Sequence, residues 1–113
     1  MAQDEELSAR FREALAGHEG ISEKPMMGGR CFFLHGNMVG GADRSKEGVE
    51  RLMFRVGKEN VERASLLPGG EPMVLGGRPM HGFFFVRAED CDDRALQQWL
   101  NLALGHAQGL PPK

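Results

Sequence analysis

Cys31-Phe32-Phe33-Leu34-His35-Gly36-Asn37-Met38-Val39-Gly40-Gly41-Ala42 decides the fold class of this chain. Two short apolar stretches flank Gly36-Asn37. Glycine in the first central position suits a tight II′ turn, so the segment reads as a β-hairpin. Pairing across that turn puts Phe32, Leu34 and Val39 on one face and Cys31, Phe33, His35 and Met38 on the other. A sheet with one face on a core and its reverse in water would alternate apolar with polar residues. Here both faces carry large apolar groups, and the second one needs an occupant.

Proline and glycine punctuate the chain on either side of the hairpin. Pro25-Met26-Met27-Gly28-Gly29 runs into it, and Gly77-Arg78-Pro79-Met80-His81-Gly82 runs into Phe83-Phe84-Phe85. Glycine relaxes the backbone and proline fixes φ, so both phrases read as shaped turns leading into strands. Upstream, Leu7, Phe11, Ala14 and Leu15 fall at helical spacing with Asp4 as a cap, and 21–25 looks extended. Downstream, a polar loop over 42–50 leads to a strand over 52–56, in which Leu52, Phe54 and Val56 share a face. A short helix over 58–67 stops at Pro68-Gly69-Gly70, and strands follow over 73–75 and 80–87, with Gly76-Gly77 and Pro79 as the turn between them. Asp92 and Asp93 then open a helix whose Leu96, Trp99, Leu100, Ala103, Leu104 and Ala107 form a continuous apolar stripe. The order α-β-β-β-α-β-β-α lacks regular β-α-β alternation. It predicts an α+β fold with an antiparallel sheet of about five strands and helices packed against it.

Composition narrows the function classes. The chain has 113 residues, 41% hydrophobic and 27% charged, which is a single globular domain over 1–113 with 110–113 as a tail. Its formal charge of −2 argues against direct nucleic-acid binding, which draws on an excess of Lys and Arg. Arg44, Lys46, Arg51, Arg55 and Lys58 form the most basic stretch, but Asp43, Glu47, Glu50 and Glu59 interleave with them as on a solvated surface. No apolar run approaches the roughly 20 residues of a membrane-spanning helix. The acidic, amphipathic amino terminus is unlike a signal peptide, so a cytoplasmic location without membrane contact and reduced Cys31 and Cys91 are expected.

The opening Asp4-Glu5-Glu6-Leu7, Lys24-Pro25-Met26-Met27-Gly28-Gly29, Gly36-Asn37-Met38, Arg55-Val56-Gly57, Pro68-Gly69, Gly77-Arg78-Pro79-Met80-His81-Gly82 and Leu110-Pro111-Pro112-Lys113 occur in an order that resembles the TfoX (Sxy) N-terminal-domain family over essentially the whole chain. The resemblance implies a two-layer α+β domain. It also implies a regulatory module, since bacterial relatives with a further carboxy-terminal domain are linked to the control of competence. This chain reads as a stand-alone, single-domain member. Met27 stands where the family's turn usually has phenylalanine, and the 42–50 loop looks longer than usual. The family offers no agreed catalytic residues to carry over.

The residues themselves point away from catalysis, and no enzymatic activity is expected. Cys31, His35, His81 and Cys91, with His18 or His106, lack the close pairs of a structural zinc site, so no metal and no cofactor is expected. Cys91 precedes two aspartates, which oppose a thiolate. None of the glycine pairs continues into Lys-Ser or Lys-Thr as a phosphate loop does. The surplus apolar face is the leading functional feature, with Phe33, Met38, Phe83 and Phe85 as interaction candidates for a protein partner or a second copy in a homodimer. The alternative is an anionic small ligand held by Arg30, Arg78 and the Gly28-Gly29 turn.

Overall fold

The hairpin forms, but one residue earlier than the glycine suggested. In the computed structural model, which describes residues 2–26, 29–45 and 47–112, Leu34 pairs with Asn37, so the turn is His35-Gly36. Both turn residues have positive φ, +50° at His35 and +84° at Gly36, which is the I′ pattern rather than II′. Two tertiary bonds hold this register. The His35 N–H donates to the Gly20 carbonyl, and Asn37 Nδ2 donates to the Pro111 carbonyl at 2.9 Å. Asn37 is therefore a buried strand residue, and the 110–113 tail is tied to the hairpin at Pro111.

The elements are α1 (Ala2–Ala14), β1 (Ile21–Met26), β2 (Gly29–Leu34), β3 (Asn37–Arg44), β4 (Glu50–Arg55), α2 (Val61–Ser65), β5 (Gly70–Leu75), β6 (Arg78–Arg87) and α3 (Asp93–Gln108), with single 3-10 turns before α2 and α3. The α+β class and the antiparallel pairing are as expected, but the sheet has six strands in the order β1-β2-β3-β4-β6-β5. The additional strand is β1, whose polar Ser-Glu-Lys-Pro stretch carries no hydrophobic alternation. It sits at the edge, where Pro25 removes no interior ladder bond, and Pro72 occupies the other edge strand.

Three boundaries also differ from the sequence reading. α1 begins at Ala2, so Asp4 lies inside the helix rather than capping it. The 42–50 loop shrinks because β3 and β4 continue through charged residues: Arg51 pairs with Asp43, and Arg44 with Glu50, as opposite charges across neighbouring strands. Finally, β6 begins at Arg78 rather than Met80, so Pro79 belongs to the strand and not to the turn. The turn is Gly76-Gly77, and β4 pairs with β6 only from Phe83 onward, which leaves Pro79 free of a ladder on that side.

α1 and α3 pack on the same face of the sheet, against β2, β3 and β4. α3 starts where expected, with Asp92 accepting a hydrogen bond from the Ala95 N–H, and it buries the six stripe residues named above. Under the helices runs a row of rings, Phe32, Phe11, Phe54, Trp99 and Phe84, with successive centroids 4.8, 5.8, 5.4 and 5.4 Å apart. Gly40 makes room for this row, because a Cβ there would collide with the Met53 carbonyl and press on the Phe11 ring.

Candidate functional site

The reverse face of the sheet carries its own layer of apolar side chains. Strand alternation that sends Phe32, Leu34, Leu52, Phe54, Phe84 and Val86 under the helices sends Cys31, Phe33, Met53, Phe83 and Phe85 to the other side, and Met38 joins them opposite Phe33. All six are half-buried, and none belongs to the core under the helices. The interaction candidates Phe33, Met38, Phe83 and Phe85 thus share one face, with Met53 and Cys31 among them. A bulge between Phe32 and Phe33 sets Val39 and Gly40 together opposite Phe32, with Val39 buried in the core and Met38 opposite Phe33.

One cross-strand row passes through all six strands: Lys24, Cys31, Gly41, Met53, Phe85 and Glu71. Buried Gly41 lets β2 and β3 approach closely at its middle. A Cβ there would come within 2.5 Å of the Arg30 carbonyl and 3.3 Å of Cys31 Sγ. Burial, reinforced by the charge of Asp43, pushes the Cys31 thiol up. Cys91, under the helices, is pushed up to about 11, also chiefly by burial. Both thiols are free and favour the neutral form, which is a poor nucleophile and a poor metal ligand.

Each ring of this face has a cation over it. Arg51 Cζ stands 3.9 Å from the Phe85 centroid, Lys24 Nζ 5.2 Å from that of Phe33, and Arg55 Cζ 5.8 Å from that of Phe83. Arg51 is also engaged at its edge. Its Nε and Nη2 donate to the two carboxylate oxygens of Asp43 at 3.1 and 2.8 Å. Lys24 and Arg55 make no ion pair among the described residues. The sequence held a sign of this arrangement, because Arg51, Met53 and Arg55 alternate onto one strand face. The interleaved acids concealed it, and the rings that Arg51 and Arg55 meet, Phe85 and Phe83, lie on a strand remote in sequence.

The second candidate set is not brought together. Arg30 projects on the helix side at the sheet's edge, where it meets Glu23 at 3.3 Å beside Arg12. Arg78 is exposed at the start of β6, with β3 and β4 between its strand and that of Arg30. Gly29 opens β2, and a Cβ there would strike the Ala42 carbonyl, so its role is close strand packing. Gly28 and Met27 lie outside the described residues. Among the described residues, no three His, Cys, Asp or Glu side chains gather as metal ligands do, and no helix is long and apolar enough to cross a membrane.

A family model for the TfoX N-terminal domain matches residues 13–107. The chain belongs to the TfoX N-terminal domain family. That match spans every strand of the sheet and both faces, from the last two residues of α1 to the last turn of α3. In this TfoX N-terminal domain, the helix-free face therefore lies wholly within the family's shared segment. No curated protein and no solved structure matches the chain.

Proposed function

We propose that this TfoX N-terminal domain is a non-enzymatic regulatory module that acts by protein contact through the helix-free face of its sheet. The observation that carries this reading is the layer of Phe33, Met38, Met53, Phe83 and Phe85, gathered from four strands, with both long helices packed on the opposite side of the sheet. Aromatic residues, Met and Arg are the residue types enriched at the centres of protein interfaces, and this face is built from them. Thioethers add the adaptability that binding surfaces exploit. A role in competence-type or transcriptional control is the setting the family suggests.

The experiment is affinity capture from the native cell with wild-type protein and with a Phe33→Ala, Phe83→Ala variant that keeps its circular dichroism spectrum. A protein retained by the wild type and lost by the variant is the expected result. Identical captured proteins would refute the assignment of the contact to this face.

A further inference from the structure

The face offers two ring-stacked cations whose edges are open, and we infer that its partner is an acidic amphipathic segment of another protein, whose carboxylates dock on Lys24 and Arg55. This inference rests on the preceding proposal and specifies the partner's chemistry.

The chain supplies its own template for the contact. At Phe85 the sequence of groups is complete: ring, then the Arg51 guanidinium lying over it, then the Asp43 carboxylate gripping the guanidinium's edge through two hydrogen bonds. A guanidinium can do both at once because its flat face meets the ring while its N–H fork points outward in the plane. At Phe83 and Phe33 the first two layers are present, in Arg55 and Lys24, and the third is missing among the described residues. The carboxylate next to Arg55 is Glu59, and it is already held by His106 Nδ1 at 2.6 Å.

Charge sets the partner's sign. The face presents Lys24, Arg51, Arg55 and Arg87 against Asp43, Glu71 and the Glu89 that pairs with Arg87 at 3.8 Å, which leaves Lys24 and Arg55 as its unpaired cations among the described residues, on a chain whose formal charge is −2. Arg51, Arg55 and Arg87 all lie on the neighbouring strands β4 and β6. Stacking two copies face to face would bring like charges together, a penalty that selects against self-association and for an acidic partner.

Spacing sets the partner's form. Phe33 on β2 and Phe83 on β6 are three strand spacings apart, roughly 14 Å. Two glutamates three turns apart on an α-helix are separated by about 16 Å on the same side, and apolar residues between them would meet Met38 and Met53.

Two synthetic helical peptides with the same Leu/Phe stripe test this, one with glutamates three turns apart and one with lysines in their place, each titrated into the isotope-labelled full chain and followed by amide NMR. An oligothymidylate serves as a third probe. The expected result is that only the acidic peptide binds, shifting amides of β1, β2, β4 and β6. Its affinity should fall about tenfold in a Lys24→Gln, Arg55→Gln variant with unchanged spectral dispersion, and also with added salt. Equal binding of both peptides, or retention of affinity in the variant, would overturn the charge-selective partner while leaving the apolar contact face in place. Failure of the acidic peptide while face-dependent capture succeeds would also overturn the inference alone. Oligothymidylate binding on the same amides would replace it with a stacking platform for nucleic acid. Loss of face dependence in the capture experiment would remove the underlying proposal as well.

Discussion

Trp99 shows how a single residue carries the core. It is fully buried between Phe54 and Phe84, and its Nε1 has no hydrogen-bond partner among the described residues, so apolar packing holds it. Trp99→Ala should therefore cost about 3–5 kcal/mol through the cavity it leaves. Trp99→Phe should cost much less, because it also removes a buried N–H that is unpaired. Urea titration of both variants checks this, and equal losses would contradict it. A second residue-scale prediction concerns acid. Hydrogen bonds from Arg12 hold the Glu23 carboxyl below its ordinary value of 4.5, with Arg30 adding to the effect. The unfolded chain then binds a proton more readily than the folded one, so this stabilisation is complete above that value and disappears as pH falls through the lowered one. Glu23→Gln should flatten the decline of the urea midpoint in that acidic window and leave its shape near neutrality unchanged.

At the scale of elements, the β2–β3 hairpin shows what local sequence can and cannot settle. That a hairpin occurs here was legible, because apolar alternation brackets a glycine. Its register was not, because Gly36-Asn37 and His35-Gly36 are both acceptable turns and the choice depends on Gly20 and Pro111, which are remote in sequence. With φ of +84° at Gly36, Gly36→Ala should cost about 1–2 kcal/mol. Hydrogen exchange should show the loss concentrated at the β2–β3 end of the sheet, and an unaffected hairpin would place the strain elsewhere. β1 was read only as extended chain, since an edge strand with one neighbour needs no apolar alternation. By contrast, α3 was legible residue by residue, because its cap, its stripe and its packing face all agree.

For the whole molecule, the decisive fact is that both long helices lie on one side of the sheet. The ring layer on the other side stays solvent-compatible because cations lie over it and keep their charged ends in water. An acidic-partner face predicts a monomer in isolation. Light scattering behind size exclusion should give the 12.5 kDa mass of one chain over a wide concentration range. A stable dimer broken by Phe83→Ala would show instead that a second copy occupies the face.

Local patterning carried the α+β class, the antiparallel hairpins, the α3 stripe and the membership of Phe33, Met38, Phe83 and Phe85 in a surplus apolar set. These follow from period-2 and period-3.6 patterning, which each segment carries within itself. The sixth strand, the hairpin register, the separation of Arg30 from Arg78 and the stacking of Lys24, Arg51 and Arg55 on the rings arise from long-range packing. Those depend on the order β1-β2-β3-β4-β6-β5, which places β4 beside β6 and the two arginine candidates on strands that do not touch. Strand order is set by how long-range pairs bury the common core, and no local pattern encodes it.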